Sequence, residues 1–285
     1  MRTRFTDLVG CRYPLQNAGM GAVGSPGLAA AVARAGGLGM MGAGLGEVPE
    51  TDGKLGVNFL APGGFDLEYI GRVAPQVRVV EFFYGDPSPA PVRAAHSGGA
   101  LVSWQVGSVA EAVAACECGS DLIVAQGIEA GGHVRGKVRL DALLPSVLAA
   151  VKVPVVAAGG IASPERVRAV MDAGADAVRV GTRFVAATEC DAHPDYVRRL
   201  IEADGPADTE LTLQFDQGWP DAPHRALRSA VKAAQRARFH GVAPPTRGER
   251  GPVDHRALYA GEGVGHVKRA EAASDIVADL VSLLD

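Results

Sequence analysis

Polar residues planted at the ends of apolar runs are where this sequence could do chemistry. In "IVAQGIEAGGHVRG", residues 123–136, an apolar run closes on Gln126, and His133 follows behind Gly131 and Gly132. An imidazole titrating near neutrality can take or give a proton, and paired glycines clear side chains from the space beside it. A loop histidine bonded only to backbone is the bland alternative. The strand-end position and the glycines favour a functional one. Glu129 is expected to orient the loop or to face water, and Gly127 stays ambiguous.

Four other run ends carry similar signals. "AGMG" at 18–21 follows the first run and includes Met20, and Asn58 and Pro62 lie at the end of the third. "GGIASPE" at 159–165 places Gly159 and Gly160 before Ser163-Pro164, a helix start whose free N–H groups favour an anion. "GTRF" at 181–184 adds Gly181 and the hydroxyl of Thr182. Together the last two segments read as a phosphate cradle. The pattern GxxxxGK[ST] is absent, which argues against a P-loop hydrolase.

These residues need a scaffold that brings strand ends together. Eight apolar runs, 14–18, 38–42, 55–60, 77–83, 100–106, 121–126, 153–158 and 177–181, alternate with helical stretches at 26–35, 66–74, 108–118, 139–151 and 164–173. Ser25, Ser108 and Ser163 stand at three helix starts as capping residues. Continuous apolar strands joined by helical crossovers predict an α/β fold with a parallel sheet covered on both faces. Eight of them predict a (β/α)8 TIM barrel, with a doubly wound open sheet as the other architecture. Loops after strands seven and eight are the usual phosphate site of such a barrel.

Two irregularities mark the pattern. The segment 43–54 contains Pro and Gly and is too short for a full helix, so the second crossover is shortened. After strand eight the chain runs on to residue 285, which divides it into a barrel core at 1–203 and a C-terminal helical and loop extension at 204–285. Both 43–54 and 204–260 are expected to border the mouth of the site, with an open rim where helix two is missing. Within the extension, 224–238 reads as one helix with Arg225, Arg228, Lys232 and Arg236 along a solvated face.

Composition narrows the classes. With 47% hydrophobic residues, 21% charged residues and a net charge of −4, the chain shows no basic stripe suited to nucleic acid. The first residues lack the unbroken apolar stretch of a signal peptide, and no apolar span suits a membrane, so a cytoplasmic protein is expected. Cys11, Cys116, Cys118 and Cys190 are scattered and read as free thiols, with no zinc spacing and no metal site.

"PLQNAGMG", "LAAAVARAGGLGMMG", "LGVNF", "IVAQGIEAGGH", "VPVVAAGGIASPERVRAVMDAGADAVRVGTRF", "ATECDAHPDY" and "LYAGEGVGHV" resemble the nitronate monooxygenase family, formerly 2-nitropropane dioxygenases. The resemblance covers roughly 13–196 and resumes at 258–267. It implies an FMN-dependent TIM-barrel oxidoreductase that oxidises nitronates, and sometimes nitroalkanes, with O2. On that pattern His133 is the catalytic base over the flavin. Met20, Asn58, Gln126 and Gly131 lie near the flavin ring, and Gly159, Gly160, Arg179, Val180, Gly181 and Thr182 hold its phosphate.

Two residues depart from the family pattern: Arg179 stands where glutamine is common, and Glu262 replaces a frequent glutamine in "AGxxxG". A carboxylate there would disfavour an anionic substrate. The framework is shared with FMN-dependent NAD(P)H reductases, of enoyl-acyl-carrier-protein or of quinones, and a non-catalytic flavin-binding protein is a further alternative. The implied partners are a small nitronate or nitroalkane and O2, with no nucleic acid or membrane. Self-association into a homo-oligomer is left open.

Overall fold

Strands that are apolar on both faces must be covered inside and out, and closing the sheet on itself achieves half of that. The computed structural model, which describes residues 1–60 and 64–284, is a closed parallel barrel of eight strands. In chain order the strands are β1 (Leu15–Asn17), β2 (Leu38–Gly42), β3 (Lys54–Leu60), β4 (Val79–Phe83), β5 (Leu101–Val106), β6 (Leu122–Gln126), β7 (Gly132–His133), β8 (Val155–Ala158), β9 (Ala177–Val180), β10 (Thr209–Thr212) and β11 (His224–Leu227). All but β7, β10 and β11 belong to the barrel, and β9 closes it by pairing Gln16 with Arg179. The TIM barrel expected from the alternation is the observed fold, with every barrel strand within two residues of its expected ends. Pro62 lies outside the described residues.

The helices are α1 (Arg4–Val9), α2 (Pro26–Arg34), α3 (Leu67–Val73), α4 (Pro89–Ser97), α5 (Val109–Glu117), α6 (Leu140–Ala150), α7 (Pro164–Asp172), α8 (Thr182–Val185), α9 (Pro194–Ile201), α10 (Arg228–Ala237) and α11 (Ala273–Leu280). Ser25, Ser108 and Ser163 accept hydrogen bonds from the backbone N–H groups of Leu28, Glu111 and Arg166, as capping requires. Helix α1 precedes the first of the expected helices. Its Phe5 and Val9 plug the bottom of the barrel against Leu38, Met40, Val79, Leu122, Val124 and Val156.

Side chains alternate across each strand, so the interior rises in layers. On β4, Val79 belongs to the bottom layer, Glu81 follows on the same face, and Phe83 reaches the open end. Helix α11 returns from the C-terminal region to pack against α2 and α7. Among the described residues no helix is long and apolar enough to cross a membrane.

Two expectations need correction. No helix spans 43–54, as expected, but this segment supplies none of the cavity lining. It runs along α2 instead: a Cβ on Gly53 would lie 2.4 Å from the Ala33 backbone, and one on Gly46 would lie 3.9 Å from Pro26. The segment 224–238 is also not one helix. Its first four residues form β11, between β10 and β7, before α10 begins. Cross-strand pairing there outweighs the helical period. Arg225 is therefore buried in the small sheet, whereas Arg228, Lys232 and Arg236 on α10 are exposed as expected.

Candidate functional site

A cavity of about 330 Å³ opens at the C-terminal ends of the barrel strands. It is lined by Met20, Asn58, Gln126, Gly131, His133, Gly159, Gly160, Arg179, Gly181 and Thr182, which are all but one of the residues expected to form a site. Val180 is the exception. Its side chain belongs to the core, and its carbonyl accepts a hydrogen bond from the Ala18 N–H at 2.8 Å.

One end of the cavity is made of backbone. Gly159 (φ 110°) and Gly160 (φ 68°) adopt left-handed conformations that side chains disfavour. A Cβ on Gly131 would sit 2.5 Å from the Gly261 nitrogen, so the C-terminal segment presses directly on the loop after β6. The Thr182 Oγ1 accepts from the Gly261 N–H at 2.9 Å, which leaves its own hydroxyl proton free to donate. This end suits an anion held by N–H and O–H groups.

Glu129 anchors the same loop from below. It is buried, and its two oxygens accept from the Leu140 N–H at 3.1 and 3.0 Å, at the start of α6. It therefore orients the loop rather than facing water, as a carboxylate at a helix N-terminus should. A Cβ on Gly127 would lie 2.3 Å from the Glu129 Oε2, so that glycine serves to make room. Glu262 is paired with Arg139 at 2.9 Å and Arg225 at 3.3 Å. Its charge is thus neutralised, and the expected penalty for an anionic substrate does not follow from it.

The other end is made of side chains. His133 is not on a loop: β7 pairs antiparallel with β11, placing His133 opposite His224. The Gln126 Nε2 donates to the His133 carbonyl at 3.0 Å. The His133 ring stacks on Trp219, with centroids 3.9 Å apart and planes 19° from parallel, while Tyr84 and Tyr259 meet it edge-on. Burial, reinforced by nearby His224, pushes the His133 pKa down to about 3. The imidazole is therefore neutral at working pH.

Among the described residues, three polar atoms at this cavity are buried without a partner: the His133 Nε2, the Gln126 Oε1 and the Gln105 Oε1. Orphaned polar atoms are costly, and three around one cavity mark a place where a ligand belongs. Met20 (φ 51°) and Tyr84 (φ 70°) add local backbone strain where the chain meets the site. Among the described residues, no cluster of His, Cys, Asp or Glu could hold a metal ion.

Sequence reasoning missed several residues here. Gln105, next to the end of β5, is a polar residue in an apolar run, and Glu81 is a carboxylate inside a buried strand; both signals were legible. Trp219 reaches the site only through the path of the C-terminal region, and no local pattern marks it; Tyr259 and Gly261 lie in "LYAGEGVGHV", but nothing in that segment says which loop it will meet.

The chain matches the nitronate monooxygenase family over residues 2–55 and 54–282. The chain belongs to this family. It is 31% identical to the nitronate monooxygenase of Pseudomonas aeruginosa, across 96% of this chain and 97% of that protein. It is 35% identical to the (3aS,4S,5R,7aS)-5-hydroxy-7a-methyl-1-oxo-octahydro-1H-indene-4-carboxyl-CoA dehydrogenase of Rhodococcus jostii, across 80% of this chain but 66% of that relative. The structure of FabK from Thermotoga maritima superposes with a TM-score of 0.86 at 30% identity, covering 99% of this chain and 96% of that one. The resemblance in sequence is thus borne out, and the chain is an oxidoreductase of a flavoprotein family.

Proposed function

We propose that this protein uses FMN to oxidise nitronates, and nitroalkanes that can be deprotonated to them, with O2 to carbonyl products. The observation carrying this reading is the convergence of three orphaned polar atoms and a glycine cradle on one cavity at the barrel mouth. The residues fit the cofactor. Gly159, Gly160, Gly181 and Thr182 offer a phosphate cradle, and Gly131 lets the Ala260–Gly261 backbone close against the loop after β6. Asn58, Gln105 and Gln126 supply polar partners, and Met20 lines the cavity near the end of β1. Bound there, FMN would supply electron transfer between substrate and O2, while the protein selects the donor that reaches it.

The chain's own part is to hold the substrate and move one proton. His133 presents a neutral imidazole whose Nε2 can accept the α-proton of a nitroalkane. Burial opposes the resulting imidazolium. Two things offset this: the face of Trp219 attracts a cation, and the nitronate formed beside it is a counter-ion. A preformed nitronate needs no such transfer, and His133 then only orients it. Trp219, Tyr259 and the Val242–Pro244 stretch exclude water from above.

A second reading is supported by the similarity to FabK and to the CoA dehydrogenase: an NAD(P)H-dependent reductase on the same scaffold. Anaerobic mixing separates the two. Bleaching of the bound flavin by nitronate alone supports the oxidase reading. Fast bleaching only by NADH or NADPH supports the reductase, and a protein that takes up no FMN supports neither. For the placement of the phosphate, a folded Gly181→Leu variant should lose FMN. Undiminished FMN content would overturn it.

A further inference from the structure

One layer beneath the cavity, five polar side chains meet inside the barrel, and the function proposed above uses few of them. Glu81 on β4 is fully buried, and an ionised carboxylate can only accept hydrogen bonds. Donors reach it from four other strands. They are the Asn58 Nδ2 at 2.9 Å, the Gln16 Nε2 at 3.2 Å, the Ser103 Oγ at 3.4 Å, and the Arg179 Nη1, which completes an ion pair. The Arg179 side chain is itself only 8% exposed. Salt screens such a buried pair poorly, so its field is felt at the cavity.

Two of the donors also line the cavity, Asn58 and Arg179. Because the carboxylate accepts only, the Asn58 NH2 must face Glu81, which leaves Oδ1 as the amide's remaining acceptor. Arg179 commits Nη1 to Glu81 and keeps further N–H donors. The cavity floor therefore sets an acceptor beside a cationic donor. That pairing complements the N–H and C=O edge of a cyclic imide. In a flavin this edge belongs to the pyrimidine end of the ring, where negative charge collects on reduction.

We propose that Arg179 and Glu81 form a charge-setting pair for the bound flavin. Arg179 favours the reduced, negatively charged pyrimidine. Glu81, a positioning residue, holds Asn58 and Arg179 in place and limits how far the cation raises the potential. The proposal rests on the FMN reading of the site. It also accounts for the departure at 179: a neutral glutamine there would leave Glu81 buried without its counter-charge, a costly arrangement.

The test is the two-electron midpoint potential of the FMN-loaded protein, measured anaerobically against reference dyes. Wild type is compared with Glu81→Gln, Arg179→Gln and the double variant. Glu81→Gln leaves the cation unopposed, so the potential should rise. Arg179→Gln leaves the carboxylate unopposed, so it should fall, and the double variant should lie between Arg179→Gln and wild type. Each single change should alter the binding of reduced relative to oxidised FMN about tenfold, which is about 30 mV for a two-electron couple. If Arg179→Gln does not fold, Glu81→Gln above wild type and the double variant below it still carry the proposal.

A Glu81→Gln potential at or below wild type, or a double variant equal to wild type, would overturn the pair. Wild-type protein that binds no FMN would overturn the cofactor reading and this proposal together. FMN-loaded proteins with coincident potentials overturn the pair alone. A merely structural role would lower stability without producing this order.

Discussion

The two ends of the cavity are built in different ways. At the phosphate end, short stretches of consecutive residues present backbone: Gly159-Gly160 after β8 and Gly181-Thr182 after β9. At the His133 end, single side chains arrive from distant places, with Tyr84 beyond β4, Trp219 between β10 and β11, and Tyr259 near the C-terminus. A backbone site needs little but glycines at strand ends, so it is local in sequence and stiff in structure. A side-chain roof depends on tertiary packing and can be altered one residue at a time. Binding should therefore fail when the first end is damaged, and selectivity when the second is.

The largest expected effect strikes the roof. His133→Asn should retain FMN and still bind nitronate, yet lose nitroalkane turnover by roughly 10²–10⁴-fold, the usual contribution of a general base. With preformed nitronate the loss should be modest, on the order of one hydrogen bond to a charged group, about 1.5–3 kcal/mol. Steady-state kinetics on the two substrate forms at one pH measure the ratio. Equal losses on both would make His133 an orienting group only.

Damage to the cradle should appear in binding and stability. Gly131→Ala forces a Cβ to within 2.5 Å of the Gly261 nitrogen and 2.7 Å of the Ala260 carbonyl carbon. Backbone on both sides leaves little room to yield, so about 2–4 kcal/mol of destabilisation is expected, with loss of FMN. Urea unfolding and flavin content check it. A variant as stable as wild type and fully loaded would mean that the two loops do not press together, and the contrast between a stiff cradle and a soft roof would fail.

That contrast also decides what could be read from the sequence. The barrel was legible because each strand is a continuous apolar run between capped helices, and the cradle because glycines and a Ser-Pro helix start recur after two such runs. Even the buried Glu81 left a trace, a carboxylate set in "VVEFF". The roof left none. Residues 224–227 have a helical period and become a strand only because β7 and β10 flank them. His133 was found by its glycines, but its stacking partner Trp219 lies far along the chain in a segment with no repeating pattern. Nothing local says which barrel loop such a segment will cover.

A smaller effect should be visible in stability against pH. The folded-state pKa of His133 lies near 3, below the 6.5 of an exposed histidine. Between those values the unfolded chain binds the proton more readily, so stability rises with pH across this window and is lost as pH falls through it. At pH 4.5 wild type should have lost about 2.7 kcal/mol through this group relative to pH 7.5. His133→Asn should be spared that part of the loss, while His224, also shifted down by burial, acts in both proteins. Paired urea titrations of the two proteins at the two pH values isolate the difference. No difference would place His133 in water.

The smallest effect on stability, and the sharpest probe of the roof, is Trp219→Ala. Trp219 is only partly buried and sits on a turn, so its removal should cost less than about 1 kcal/mol. FMN content should stay unchanged, because no cradle residue depends on it. What should change is the His133 environment. With the stacked indole gone, water reaches a ring now held down chiefly by burial, and its pKa should climb back toward the ordinary histidine value. Loss of the aromatic face works in the opposite direction, because a cation over an indole is favoured by about 0.5–1 kcal/mol at exposed sites. Solvation is the larger of the two terms for a group shifted this far, so the net movement should be upward. NMR titration of the His133 ring, assigned by its disappearance in His133→Asn, measures it directly. A pKa left near 3 would show that His224 and Tyr259, not Trp219, keep the site dry, and the roof would then be as rigid as the cradle.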